Sequence, residues 1–409
     1  MDENFDDNDV NEDIDDNEDN DDNNEMEEIY NSIANDLVNI LNNYKKTTLN
    51  NLDNKLNNYY KTIKEEIDNY KKKIENKYIK FNIKELKAPR LSHLPKTNNT
   101  NFLINLILQY FVNKNSLIPY FFNPDKKEKI FKKSREDPTG TYLSPSFFGL
   151  LRTIYIELNN KYEPVELHDK LKKLMNNDYK SDNPGKIICF LINQFHNELK
   201  NNELFMNKPE FNIDKNQAFN NFKNYYLINI SKFSELYFSS IKIRRIGSAT
   251  KYLYESLCVF DLYLTNLDKQ KINLVKEFKY LFIDKNIKEK YYKNNEDFQK
   301  EIKSISNELI ININRNKNKN QYLDYPMRLE TAYLFNNNIN NINENKIYEL
   351  EGVIIIKNNN NENIYYAYYK NFVNKKWYLF NEENIELVQD ENKIIDKENA
   401  SLLIYSFEK

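Results

Sequence analysis

The spacing of apolar positions divides the chain into a helical first half and a strand-rich second half. Three segments repeat apolar residues at helical spacing, and they predict helices at 102–112, 146–158 and 186–200. From about residue 225 onward, short runs rich in Ile, Tyr and Val alternate with Asn-rich turns. These runs predict strands at 308–313, 347–356, 364–369, 377–380 and 401–407. Helices followed by strands indicate an α+β fold.

A different pattern precedes residue 85. Apolar residues in 29–81 recur at helical spacing, and from Leu49 to Ile74 they follow a heptad-like rhythm over about four heptads. Two interpretations stay open: a coiled coil with a partner, or a helix packed on its own domain. We therefore predict a helical, coiled-coil-like extension at 29–81 and a larger domain at 85–409.

Charge sets the first residues apart. Residues 1–28 hold 16 Asp and Glu and no Lys or Arg, whereas the other 381 residues hold 46 acidic and 59 basic side chains. Such a block is typical of a disordered, solvated tail, which we predict at 1–28. Folding back on the basic body and binding a partner are the alternatives.

Composition excludes several classes of protein. Only 5 glycines are present, and no glycine-rich phosphate-binding motif can be written. Two cysteines cannot build a disulfide framework or a zinc site of two Cys pairs. The acidic N-terminus is unlike a signal peptide, and no apolar run approaches the ~18 residues of a membrane span. We expect an intracellular protein, in the cytoplasm or the nucleus, with no cofactor and no membrane contact.

Four blocks near the C-terminus carry the strongest signal. They are YELEGVIII at 348–356, IYYAYYK at 364–370, KWYLFNEENI at 376–385 and ASLLIYSF at 400–407. Their order and spacing resemble the C-terminal half of ubiquitin-specific proteases, in which a YxLxGVxxH strand, a GHYxAY box, a KWYxFDD box and a closing AYxLFY strand follow one another.

Earlier segments resemble the same family. Residues 183–200 are similar to its QDAxEFLxxLLxxLHxEL helix, although the acidic start is not kept. Residues 100–109 are similar to the NTCFMNxxLQ helix that presents the nucleophile, and 306–315 with 325–330 to a PxxLIIxLNR strand and the segment after it. The resemblance implies a papain-like cysteine peptidase fold of the ubiquitin-specific protease type, with a helical thumb and a β-rich palm and fingers.

The catalytic positions of that family are degenerate here. Alignment on Asn105 and Gln109 puts Phe102 at the nucleophile position, whereas alignment on the preceding Asn-Thr pair puts Asn101 there. Ile364 falls at the histidine position and Asn381 at the position that orients the imidazole. Because a thiol protease needs a thiolate and an imidazole, the resemblance implies a domain with no catalytic residues.

Other residues are weak substitutes. We interpret Cys189 and Cys258 as buried structural thiols, and His196 as a helix-capping or core-edge histidine. The segments that match the family's zinc-binding fingers, 233–264 and 281–307, hold no Cys pair, so we expect no metal.

The leading hypothesis is a pseudo-deubiquitinase that binds ubiquitin, a ubiquitin-like protein or, through the 29–81 helix, another protein partner. An active thiol-dependent deubiquitinase with an unaligned nucleophile is one alternative. A non-catalytic scaffold in mRNA splicing or deadenylation is another. Basic patches at 126–135 and 242–245 have aromatic neighbours, but we favour a solvated surface over a nucleic-acid site.

Overall fold

The computed structural model divides the chain into two compact units, Met1–Phe81 and Asn82–Lys409. It describes residues 31–39, 61–66, 86, 88–97, 101–200, 208–246, 249–264, 271–283, 297–315, 321–331, 346–359 and 362–407. Residues 31–39 and 61–66 are helical. The predicted tail at 1–28 and the rest of the predicted 29–81 helix lie outside the described residues.

Helices dominate the described part of the second unit up to residue 237. They are α1 (Phe102–Val112), α2 (Ile118–Phe122), α3 (Pro124–Glu136), α4 (Ser144–Tyr155), α5 (Val165–Met175), α6 (Pro184–Leu199), α7 (Lys215–Ile228) and α8 (Lys232–Tyr237). A 3₁₀ turn, Asn176–Lys180, connects α5 to α6. The three predicted helices are confirmed as α1, α4 and α6. The helical part extends past the predicted change to strands near residue 225, because α7 and α8 precede the first strand.

Strands follow, interrupted by α9 (Leu274–Ile283). The described strands are β1 (Ser239–Ile246), β2 (Lys251–Leu257), β3 (Phe260–Tyr263), β4 (Lys271–Asn273), β5 (Asp297–Ser304), β6 (Glu308–Asn314), β7 (Tyr322–Asp324), β8 (Arg328–Glu330), β9 (Ile347–Asn359), β10 (Glu362–Lys370), β11 (Trp377–Phe380), β12 (Ile385–Leu387) and β13 (Ala400–Phe407). The five predicted strands are confirmed as β6, β9, β10, β11 and β13.

The described strands form three sheets. The largest has the order β12-β11-β10-β9-β13-β6-β3, with β8 also paired to β9. It is antiparallel except at its edge, where β3 runs parallel to β6. A separate antiparallel sheet has the order β2-β1-β5, and β4 pairs with β7. The helical layer and the mixed sheet confirm the predicted α+β class.

Helix α1 lies at the centre of the unit. All eleven of its residues are buried, including the polar Asn105 and Gln109. It packs against α6 and β10. Aromatic rings surround its Phe111, with Phe195 and Phe233 stacked at 4.9 Å between ring centres. This packing holds the C-terminal half of α1 against α6 and α8.

Candidate functional site

The N-terminus of α1 holds both candidate nucleophile positions. Asn101 is the N-cap residue, and its side-chain oxygen accepts a hydrogen bond from the Leu103 amide at 3.0 Å. Its side-chain amide donates to the carbonyl oxygen of Tyr179 at 2.6 Å and reaches that of Ser181 at 3.5 Å. Phe102 begins the helix and is only 4% exposed. Asn101 is therefore a structural cap, and Phe102 belongs to the core.

The buried His168 links the start of α1 to Tyr179 through hydrogen bonds. The two ring nitrogens of His168 contact the Tyr179 hydroxyl and the Asn105 side-chain oxygen, each at 2.6 Å. The Asn105 amide donates to the Pro95 carbonyl at 2.9 Å, so its oxygen must face the ring and accept from Nε2–H. Nδ1 then accepts from the Tyr179 hydroxyl. Burial, reinforced by Lys172, lowers the pKa of His168 to about 4, so the ring is neutral near pH 7.

Ile364 lies in β10, opposite Lys357 of β9, and is 41% exposed. Side chains alternate along a strand, so Tyr365 and Tyr369 lie on the opposite face from Ile364. The Tyr369 hydroxyl donates to the Leu106 carbonyl of α1 at 2.8 Å, which identifies that opposite face as the one toward α1. The side chain that β10 presents near the start of α1 is therefore Tyr365, and Ile364 points away.

Tyr365 and Asn363 both bind Asp182. The Tyr365 hydroxyl donates to one carboxylate oxygen at 2.6 Å, and the Asn363 amide donates to the other at 3.2 Å. Burial and the bond to Asp182 raise the pKa of Tyr365 to about 12, so the phenol keeps its proton.

One short loop connects the two constellations. We call residues 179–182 the bridging loop, because Tyr179 and Ser181 accept from Asn101 while Asp182 accepts from Tyr365 and Asn363. An amide, a phenol and a carboxylate hold the start of α1 and β10 together through this loop. None of these groups is poised as a nucleophile, because each is neutral or already accepts hydrogen bonds.

Asn381, the candidate orienting residue, follows β11. Its side-chain oxygen accepts from the backbone amides of Glu383 and Asn384 at 2.9 and 2.8 Å, which closes an Asx-type turn. Its backbone carbonyl lies 3.0 Å from Nε2 of His93. Nearby, Lys96 forms an ion pair with Glu382 at 2.9 Å. The side-chain oxygen of Asn381 is thus used in hydrogen bonds within its own turn.

Sequence reasoning missed His93, as it missed His168, Asp182 and Tyr365. The His93 ring reaches the Asn381 carbonyl from the segment before α1, 288 residues away in sequence. No periodic or motif signal connects two positions so far apart. The ring is buried and bonds a backbone carbonyl, which suits a structural role.

The remaining candidates lie elsewhere. Cys189 of α6 faces Cys258, which follows β2, with 3.5 Å between the sulfurs. His196 contacts the hydroxyl of Ser231, the N-cap of α8, at 2.8 Å, and burial lowers its pKa to about 4. That contact agrees with a capping, core-edge histidine. Among the residues that the structure describes, no cluster of three or more His, Cys, Asp or Glu could hold a metal ion. No helix in that part of the chain is long and apolar enough to span a membrane.

Comparison with known proteins identifies the family. A family model described as ubiquitin carboxyl-terminal hydrolase matches residues 94–405, which is more than half of the chain. The protein therefore belongs to the ubiquitin carboxyl-terminal hydrolase family. No curated protein matches it by sequence.

Solved structures give the same fold. A SAGA DUB module containing Ubp8, Sgf11, Sus1 and Sgf73 matches with a TM-score of 0.53 and 16% identity, over 84% of this chain and 74% of the matched chain. The module bound to monoubiquitin matches with 0.53 and 17%, over 82% and 74%. A yeast module with a variant Sgf73 gives 0.52 and 17%, over 80% and 68%. The predicted ubiquitin-specific protease type of fold is confirmed.

Proposed function

We propose that this protein is a non-catalytic member of its family, a pseudo-deubiquitinase that binds ubiquitin without cleaving it. The observation that carries the proposal is the bridging loop. It ties Asn101, a candidate nucleophile position, and Tyr365, the neighbour of the histidine position Ile364, into hydrogen bonds.

The chemistry of the candidate positions supports the same conclusion. An asparagine amide or a phenylalanine ring cannot attack a carbonyl, and isoleucine cannot accept a proton. No histidine follows residue 196 in the sequence, so β10 and β11 cannot supply the general base. His93 comes close to Asn381, but its Nε2 contacts the backbone carbonyl rather than the side chain.

Binding can persist without catalysis, because the elements outside the site are retained. The separate sheet β2-β1-β5 is paired along its strands without any Cys pair. Glu301 of β5 bonds Lys242 of β1 and Lys303, which adds side-chain links within that sheet. A structural relative with the same fold is described as bound to monoubiquitin, and this motivates ubiquitin as the partner to test.

Two measurements test the proposal on the full chain. A ubiquitin vinyl-electrophile probe and a ubiquitin–fluorophore amide report catalysis, and we expect no adduct and no released fluorophore. Titration of isotope-labelled ubiquitin with the protein reports binding, and we expect residue-specific shifts or broadening in the ubiquitin spectrum. An active ubiquitin-specific protease, treated identically, is the positive control for both.

The outcomes separate the alternatives. A covalent adduct mapped to Cys189 or Cys258 would overturn the proposal in favour of an active enzyme with an unaligned nucleophile. An unchanged ubiquitin spectrum would overturn ubiquitin binding. In that case, co-purification with ribonucleoprotein components would favour the scaffold alternative. A protein that binds the 29–81 segment would then be the first partner to seek.

A further inference from the structure

Cys189 and Cys258 are the only cysteines of the chain, and they lie against each other. Their sulfurs are 3.5 Å apart although the residues are 69 positions apart in sequence. A disulfide requires a sulfur separation of about 2.0 Å, so an approach of about 1.5 Å would close the bond. Cys189 lies in the middle of α6 and Cys258 immediately follows β2, so such a bond would join a helix of the thumb to the end of a strand.

Asn193, one turn after Cys189 on α6, points its side-chain amide at both sulfurs. The amide nitrogen lies 3.4 Å from the sulfur of Cys189 and 3.8 Å from that of Cys258. A 2.8 Å bond to the Cys189 carbonyl holds it there. An N–H donor in this place stabilises negative charge on sulfur, and a thiolate is the form of cysteine that reacts.

The two thiols have different environments. Cys189 is half-buried and Asn193 is exposed, whereas Cys258 is buried. The hydrogen bond from the Cys258 thiol lowers the pKa of Cys189, and the same bond together with burial raises the pKa of Cys258. The more accessible thiol is thus also the more acidic one. An oxidant from solvent therefore reaches Cys189 first, because Cys258 is buried.

We propose that Cys189 and Cys258 form a reversible disulfide when the protein meets a peroxide. The Cys189 thiolate attacks one oxygen of hydrogen peroxide, the O–O bond breaks, and a sulfenic acid forms while the departing hydroxide takes up the thiol proton as water. The sulfur of Cys258 then attacks the sulfenic sulfur, and hydroxide leaves with the Cys258 proton as a second water. Two thiols and one peroxide thus give one disulfide and two waters, and two equivalents of a thiol such as glutathione reverse the reaction.

The disulfide would close a long loop that contains α7, α8, β1 and β2. Closing a long loop restricts the unfolded chain more than the folded one. We therefore expect the oxidised protein to unfold at a higher temperature than the reduced protein.

The test uses the wild-type, full-length protein and needs no variant to fold. The protein is treated with hydrogen peroxide, denatured, alkylated without reduction and digested. We expect a crosslinked peptide pair joining Cys189 to Cys258, a loss of two alkylation sites per chain, and recovery of both sites after glutathione. Recovery of two alkylated thiols after peroxide, or oxidation of Cys189 to sulfinic acid without a crosslinked pair, would overturn the proposal.

Two variants sharpen the experiment. Asn193→Ala removes the amide that faces the sulfurs, and we expect disulfide formation to slow several-fold. Cys258→Ser removes the resolving thiol, and we expect a sulfenic acid at Cys189, trapped by dimedone, with no rise in unfolding temperature upon oxidation. Disulfide formation in Asn193→Ala at the wild-type rate would remove Asn193 from the proposal, and absence of any dimedone adduct in Cys258→Ser would overturn the assigned order of attack.

Discussion

His168 connects three segments of the chain through its two ring nitrogens. Its neutral form matches the partners on both sides, since Nδ1 accepts from Tyr179 and Nε2 donates to Asn105. The Tyr179 oxygen already accepts from the Asn101 backbone amide at 3.2 Å. A second proton on His168 would therefore place a donor against the Tyr179 hydroxyl, which would lose its own acceptor. The mismatch makes the start of α1 sensitive to acid.

We predict that the free energy of unfolding falls as the pH drops below about 6.5. The pKa of His168 is depressed to about 4 in the folded protein, so its contribution is present above the unfolded value and is lost as the pH falls through the folded one. A shift of this size corresponds to roughly 3 kcal/mol. Urea unfolding measured from neutral pH down to the acid range checks it.

The variant His168→Phe separates this residue from others. We expect it to be less stable than wild type at neutral pH, because Asn105 and Tyr179 lose a hydrogen-bond partner. We also expect its free energy of unfolding to fall less steeply than that of wild type as the pH is lowered. His196→Phe is the control for the second histidine with a pKa of about 4. An acid dependence that is identical in wild type and His168→Phe would contradict the assignment.

The sequence identifies residue types at the candidate positions but not their partners. It places asparagine, isoleucine and asparagine at 101, 364 and 381 without ambiguity about their chemistry. It cannot show that Tyr365 rather than Ile364 faces α1, because the facing side of a strand depends on tertiary packing. It also cannot show the contacts of Asn101 with Tyr179 or of His93 with Asn381, which join distant parts of the chain.

At the scale of elements, the contact between α6 and β6 depends on one glycine. The Gly185 amide donates to the side-chain oxygen of Asn312 at 3.2 Å, just inside the N-terminus of α6. A Cβ at residue 185 would lie 2.2 Å from Cγ of Asn312, far inside van der Waals contact. Asn312 is itself held by Asp261 of β3 at 2.6 Å. Its side chain therefore has little freedom to move away.

We predict opposite effects of alanine at two helical glycines. Gly185→Ala forces α6 away from β6, and we expect a loss of about 1–3 kcal/mol in the free energy of unfolding. Gly149→Ala, in α4, is the matched control because a Cβ there meets nothing within 4 Å. Alanine in a helix is favoured over glycine by about 0.5–1 kcal/mol, so that variant should be slightly more stable. Chemical denaturation of both variants checks the pair, and a loss of equal size in both would contradict the close-approach argument.

Element boundaries follow the sequence well where the apolar pattern is strong. The helix at 102–112 and the strand at 377–380 have the predicted bounds, since their buried residues are nearly continuous. The helical part extends beyond the predicted change near 225 because α7 buries only Ala218 and Phe222, which leaves a weak periodic signal. The α8 helix is short and is defined by a capping box at Ser231. Such local caps are less visible in a pattern than a long apolar face.

At the scale of the whole unit, a buried charge cluster connects the thumb to the large sheet. The Lys114 ammonium, just after α1, bonds Glu308 of β6 at 2.7 Å, Glu351 of β9 at 2.9 Å and Ser406 of β13 at 2.7 Å. Burial raises the pKa of Glu308. Burial acts in the same direction on Glu351, but the attraction of Lys114 and the hydrogen bonds from Ser406 and Lys114 together outweigh it and lower the pKa. One lysine thus joins three neighbouring strands, and its positive charge is what allows a carboxylate to remain buried there.

Removing that lysine should destabilise the unit more than removing an exposed one. We predict that Lys114→Met lowers the free energy of unfolding by about 3–5 kcal/mol, because the buried Glu308 and the partly buried Glu351 would lose their cation. Lys96→Met is the matched control: its partner Glu382 is partly exposed, and exposed pairs contribute about 0–1 kcal/mol. Urea denaturation at neutral pH compares the two variants with wild type. If the deficit of Lys114→Met disappears when the pH is lowered until Glu308 and Glu351 are protonated, the unpaired carboxylates are its cause. A deficit that is independent of pH would instead assign the loss of stability to packing around α1.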